Sequence, residues 1–274
     1  MRAMSRSNPS SVFASHRWAD CRSSDFATMD ARQTVAVLPL GATEQHGPHL
    51  PLSVDTDLVN GVIDQALQHL NDTDPVLVLP TLNVGLSTEH TAFAGTLSLS
   101  SQTALALWLE MGASVARAGV RKLLLFNAHG GHVGLMDVVA RELRGQHGLT
   151  VFGSSWYQLP LGAAMDAFSA QEQRFGVHAG DIETSMMLAL KPTAVHMQAA
   201  QSFDSASQTR AQRFTLLGDG RSAKLGWHMQ DYNPHGAAGD ASAATAEKGQ
   251  ALLMQAGEQL AALMRELVAF EPLA

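Results

Sequence analysis

The sequence predicts an α/β protein built on a mainly parallel sheet with helices on both faces. Three observations carry this. Four short apolar runs alternate with stretches of helical period, the pattern of βαβ crossovers. The chain has 274 residues, 46% of them hydrophobic, enough for a large core without staples. Gly- and Pro-punctuated loops follow the apolar runs, where open α/β sheets bind their ligands.

Residues 1–24 are polar, Ser-rich and aperiodic. They are read as a loosely ordered N-terminal arm, with 25–274 forming a single domain and a first helix near 24–31. Met4 offers an alternative start. Residues 34–40 (TVAVLPL) are too short for a core helix and fit a buried strand. Residues 56–70 place Val59, Ile63, Ala66 and Leu70 at helical spacing. A second apolar run covers 75–82 (PVLVLPTL), and 102–118 is an Ala/Leu-rich helix. Residues 121–126 (RKLLLF) form the third strand, 133–144 the next helix, and 149–154 (LTVFGS) the fourth strand. A helix over 181–190 is stopped by Pro192, and 241–268 reads as one long helix or two short ones.

Composition narrows the function. Net charge is 18 − 25 = −7, and no Lys/Arg cluster offers a nucleic-acid groove. The single Cys21 cannot make an internal disulfide, and no histidine motif beside it suggests a thiol nucleophile. No apolar run reaches the roughly 18 residues of a membrane span. Arg2 and Arg6 are followed by polar residues rather than an apolar segment, so the expectation is a cytoplasmic protein. Six of the 12 histidines, His46, His49, His90, His129, His132 and His178, fall in Gly-rich or turn-rich segments.

Four segments carry chemistry. In GATEQHGPHLPLSVD, Glu44, His46 and Asp55 are potential ligands for zinc, manganese or iron(II). Asp55 opens a helix, and its two oxygens can bridge two cations. The bland account is a solvated Gly/Pro turn. In NAHGGHVG, His129 is a candidate ligand on a strand-to-helix turn, and His132 is a supporting or surface residue. In VHAGDIETS, His178 is a proton donor, Glu183 a further carboxylate ligand, and Asp181 a complement to the helix dipole. In VGLSTEHTAFAGT, Glu89 and His90 are expected to support the loop, pairing with each other. Trp156 and Tyr157 offer a flat wall for a planar substrate, or ordinary core packing. There is no Gly-x-Ser-x-Gly elbow, Walker loop or dinucleotide fingerprint.

Taken together, LPLGATEQHGPHLPLSVDTD, STEHTAFAGTLSLS, FNAHGGHVG and VHAGDIETS resemble the creatininase (creatinine amidohydrolase) family, in the same chain order. GDASAATAEKGQALL is similar to that family's C-terminal pattern, so the likeness runs from about residue 34 to 253. The resemblance implies a three-layer α/β/α sandwich, two divalent metal ions and a homohexamer. It carries over Glu44, His46, Asp55 and His129 as ligands, with Asp55 bridging, and His178 as the catalytic histidine. Ser87, Trp156, Gly130 and Gly131 fall on the substrate side. Zinc leads the metal expectation, with manganese or iron(II) behind it. The implied reaction is hydrolysis of a C–N bond in a small cyclic amide, lactam or formamide by metal-bound hydroxide, with His178 protonating the leaving nitrogen.

Two departures bear on substrate. Creatininase has a Tyr-Glu pair after its ligand histidine, and that Glu binds the second metal. Here Gly130 and Gly131 stand there, so Glu183 is the replacement candidate. A second tryptophan before the catalytic histidine is also missing, and Phe175 is the nearest aromatic. His132 stands where the family usually has Asn, which puts one hydrogen bond of the turn in question. Alternative readings are a mycofactocin-type peptidase or a deformylase of formylamino-pyrimidine nucleotides, the latter with Arg174 and Arg210 as faint phosphate partners. A different class, a metal-binding module without catalysis, fits the ligand set less well because structural zinc sites commonly include Cys.

Overall fold

Continuous apolar strands, whose successive side chains point to opposite faces, place two cores on the two faces of one sheet. The computed structural model describes Phe13 and residues 15–273. Its main sheet comprises β1 (Val35–Leu40), β2 (Val76–Val78), β3 (Lys122–Asn127) and β4 (Thr150–Ser155), all parallel, in the order β2-β1-β3-β4. Val35 and Val37 of β1, with Leu124 and Phe126 of β3, face one core. Ala36, Leu38, Leu123 and Leu125 face the other. This period of two with both faces buried requires cover on both sides.

The helices supply it. On one face lie α2 (Ser101–Arg117) and α3 (Val133–His147). On the other lie α1 (Val54–His69), α5 (Asp181–Leu190) and α7 (Ala246–Ala269). The result is the expected three-layer α/β/α sandwich. Shorter elements complete the chain: α4 (Ala170–Phe175), α6 (Ala206–Arg213), and β5 (Ser202–Phe203) paired antiparallel with β6 (Gly239–Asp240).

Departures from the sequence reading have local causes. The second strand is three residues, not eight, because Pro80 cannot donate to a ladder. The helix near 24–31 is only a 3₁₀ turn, Asp25–Ala27. The N-terminal arm, 1–24, falls partly outside the described residues, which exclude 1–12 and 14. From residue 15 it lies along the free edge of β2, where Val78 N–H donates to His16 O at 2.8 Å. The C-terminal stretch is a single long helix, with Thr245 accepting from Lys248 N–H as its N-cap.

Two lysines tie α7 to the rest. Lys122, 1% exposed, donates from Nζ to the carbonyls of Leu267 (2.7 Å), Val268 (2.8 Å) and Phe270 (3.1 Å). A lysine on the first residue of a strand thus caps the C-terminus of a helix. Burial pushes its pKa down. Lys248 pairs with Asp181, which also accepts from Ser185 Oγ. Asp181 was expected to serve the helix dipole alone; it also locks α5 onto α7. The helices meet closely at Gly249, where a Cβ would stand 1.9 Å from Ser185 O. We expect Lys122→Met to destabilise the protein by about 2–4 kcal/mol, since three carbonyls at the end of α7 lose a charged donor. Urea denaturation measures this, and a loss below about 1 kcal/mol would contradict the capping role.

Candidate active site

Each candidate side chain stands just beyond the carboxyl end of a strand or at a helix start. Glu44 and His46 lie on the loop after β1, Asp55 in the first turn of α1 and His129 on the turn after β3. Glu183 comes from the first turn of α5. Apart from Glu183, whose side chain is 18% exposed, all are buried.

The five converge. Asp55 Oδ1 is 3.6 Å from His46 Nε2, and its Oδ2 is 3.5 Å from His129 Nδ1. Glu44 Oε1 is 3.2 Å from His129 Nδ1, and Glu183 Oε2 is 3.9 Å from His46 Nε2. Two triads therefore share Asp55: Glu44–Asp55–His129 and His46–Asp55–Glu183, each with its ligand-capable atoms within 4.8 Å of one another. Glu44, His46 and His178 form a further such group.

The remaining ring nitrogens are anchored. His46 Nδ1 donates to Glu44 O at 3.1 Å, and His129 Nε2 donates to Leu86 O at 3.0 Å. A carbonyl only accepts, so the other nitrogen of each ring is left to face the carboxylates. Both carboxylate oxygens of Glu44, His46 Nε2 and Asp55 Oδ2 are buried with no hydrogen-bond partner among the described residues. Orphaned groups of this kind are costly. Three carboxylates and two imidazoles, with no thiolate, are a donor set that fits divalent cations.

Protonation in the metal-free site follows from the crowding. Burial opposes charge on His46, but Asp55, Glu183 and Glu44 outweigh it and push the ring up to about 9. His129 is likewise raised, to about 10, with Glu44 and Asp55 overcoming burial. Burial pushes Glu44 up and lifts Glu183 to about 7. Burial would raise Asp55 too, yet His46 and His129 hold it below the ordinary range. A cation bound here would displace protons.

His178 precedes a tight turn. Its ring packs between His46 and His90, with centroids 4.1 and 4.3 Å away, and its Nε2 donates to Gln45 O at 2.7 Å. Burial, then His46 and His90, push its pKa well down. Ala179 follows with φ of 54°, a left-handed conformation costing an alanine roughly 1–2 kcal/mol. The turn aims Ala179 N–H at Glu183 Oε2, 2.6 Å away.

The loop residues behave differently from expectation. Glu89 and His90 do not pair with each other. His90 Nε2 lies 3.2 Å from Glu44 Oε1, and Glu89 Oε1 lies 3.4 Å from His129 Nε2. Both face inward because the 3₁₀ turn Thr88–His90 presents them to the cluster. Ser87 is fully buried, with Oγ 3.5 Å from His129 Nε2, and stands behind that ring rather than on the cavity wall. His132 answers the question about its turn. Its Nδ1 donates to Asn127 Oδ1 at 3.0 Å, and its Nε2 accepts from Leu86 N–H at 3.1 Å. Asn127 in turn accepts from His129 N–H and donates to His129 O, fixing the ligand turn.

A cavity of 410 Å³ opens over the cluster. Gly130, Gly131 and Trp156 line it as expected, together with His178 and Tyr157. Among the described residues five carboxylates line it (Glu44, Asp55, Glu89, Glu172 and Glu183) and no Lys or Arg does. Arg174 instead stacks on Phe175, and Arg210 on Tyr232. Three contributors escaped the sequence reading. Gln45 bonds His90 Nδ1 through its amide at 2.7 Å. Glu172 accepts from Asp240 N–H and Ile182 N–H, bracing the start of α5. Trp227 reaches the wall from a polar stretch with no motif, edge-on to Tyr232. Only Gln45 had a signal, lying between two candidate ligands.

Comparison with known proteins agrees with this geometry. The creatininase family profile, described as creatinine amidohydrolase, matches residues 19–264. A mycofactocin precursor peptide peptidase of Mycobacterium tuberculosis is 34% identical over 168 residues, covering 59% of this chain and 61% of that protein. The chain thus spans about three fifths of that relative's length. A creatinine amidohydrolase of Pseudomonas putida is 31% identical over 185 residues, covering 62% of this chain and 70% of that protein. A crystal structure of creatininase superposes with a TM-score of 0.74 at 26% identity, covering 92% of this chain and 98% of that one. The same fold recurs in creatininase structures described as a manganese form and a Zn–Zn form.

Proposed function

The chain belongs to the creatininase family of hydrolases, and from that premise we propose that it cleaves the C–N bond of a small cyclic amide, lactam or formamide with two divalent ions. Glu44, Asp55 and His129 would hold one ion, and His46, Asp55 and Glu183 the other. The observation that carries this is the pair of buried triads sharing Asp55, with orphaned atoms on three of the five residues. Zinc fits the donor set best, with manganese or iron(II) as alternatives. When bound, such ions make water acidic enough to supply a nucleophile near neutral pH and polarise a carbonyl oxygen.

The protein's own groups supply the rest. Nε2 of His178 is engaged as a donor to Gln45 O, which leaves Nδ1 with the lone pair. His178 then accepts a proton from the attacking water and delivers it to the departing nitrogen, which as an amide anion would be a very poor leaving group. Trp156 and Tyr157 give the substrate a flat apolar wall. Through its backbone carbonyl Gln45 holds His178 in register, and Glu172 holds the α5 start.

A second reading is a peptide amide bond. The cavity volume favours it, being ample for more than one small ring. A nucleotide substrate gains no support, since among the described residues the lining holds five carboxylates and no Lys or Arg. Among the described residues no helix is long and apolar enough to cross a membrane. We extend the proposal to a homohexamer, supported by exposed Phe214, Leu216, Leu217 and Leu225 on one segment.

The test is hydrolysis by zinc- or manganese-loaded protein of creatinine, other cyclic ureides and lactams, N-formyl aminopyrimidines and short peptides. Turnover of a ring amide or formamide is expected. Turnover of peptides alone would establish the second reading, and silence with both ions bound would favour a metal-binding module.

A further inference from the structure

We propose that Glu89 is a positioning residue for His129, raising the affinity of the Glu44–Asp55–His129 triad for its cation. The proposal rests on the two-ion reading above. Glu89 sits on the Thr88–His90 turn, its side chain only 11% exposed. A carboxylate that far out of water needs a partner. Among the described residues its only close polar contact is His129 Nε2, 3.4 Å from Oε1. It caps no helix and bonds no backbone N–H, so the fold gains nothing visible from its charge.

The space it fills is specific. A Cβ on Gly131 would lie 2.1 Å from Glu89 Oε1 and 2.5 Å from His129 Nε2. The bare glycine backbone therefore admits the carboxylate beside the ring, and any side chain there would drive it off. Neutral acceptors already orient the ring: Leu86 O at 3.0 Å and Ser87 Oγ at 3.5 Å. Glu89 adds a negative charge on the Nε2 side, opposite the Nδ1 that faces Glu44 and Asp55. A charge there makes Nδ1 a stronger electron-pair donor, the usual effect of a carboxylate behind a ligating histidine.

The experiment is calorimetric titration of zinc into metal-free wild type, Glu89→Ala and Glu89→Gln, with thermal melts of the metal-free forms. Glu89→Ala should weaken one of two sites by roughly 10–100-fold and leave the other within about threefold. Glu89→Gln keeps an acceptor without the charge, so its loss should be intermediate. Metal-free melting temperatures should match. Affinity in Glu89→Ala within about twofold of wild type at both sites would overturn the assignment. So would an equal loss at both sites accompanied by a lowered metal-free melting temperature, which marks a merely structural role. Wild type that takes up no zinc would instead remove the two-ion reading on which the assignment stands.

Discussion

Asp55→Ala is expected to lose both ions together and to lower hydrolysis at least about a thousandfold, the scale of removing a principal transition-state stabiliser. The reason is the position of one side chain between two imidazoles. Oδ1 faces His46 Nε2 at 3.6 Å, and Oδ2 faces His129 Nδ1 at 3.5 Å. No other residue belongs to both the His129 and the Glu183 triads. Glu183→Gln should behave differently. It removes a carboxylate from one triad only, so metal content should fall from two ions to one. Elemental analysis of protein dialysed against dilute zinc distinguishes the cases. Two ions retained by Asp55→Ala would refute the shared-ligand arrangement.

The second large effect separates proton transfer from metal binding. His178→Ala should keep its full metal content and lose roughly 10²–10⁴-fold in turnover, the range of a positioned acid–base group. The geometry supports a two-step role rather than simple donation. Nε2 is committed to Gln45 O at 2.7 Å, and burial beside His46 and His90 keeps the ring neutral near pH 7 in the metal-free protein. A neutral ring must take a proton before it can give one. Steady-state kinetics with parallel metal analysis checks this. Unchanged turnover would dismiss His178, and lost metal would make it a ligand, as its grouping with Glu44 and His46 allows.

The sequence was informative where periodicity or local motif determines structure. The helix over 181–190 matches the observed Asp181–Leu190, and β1 and β3 lie within a residue of expectation. Apolar runs of strand length and a following proline are local signals, so they survive folding. The convergence of Glu44, His46, Asp55 and His129 was likewise foreseeable, because strand ends in a parallel sheet gather at one edge. Long-range placements were not. Nothing in RKLLLF distinguishes Lys122 from a flanking surface charge until α7 lies over it. Glu89 and His90 looked like natural partners for each other. Their actual partners, His129 and Glu44, stand 40 and 46 positions away in the chain. Trp227 belongs to a stretch with no period, and only the packed chain brings it to the cavity.

The Lys122 cap also has a temporal side. The ammonium belongs to the central sheet, but its acceptors are carbonyls at the end of α7, a segment synthesised after every strand of that sheet. While a nascent chain is still short of residue 267, the strand carries a cation with nowhere to bury it. Until α7 docks, the ammonium lacks the carbonyl acceptors that it has in the folded protein. Burial of this end of β3 is therefore completed by α7, the last helix in the chain.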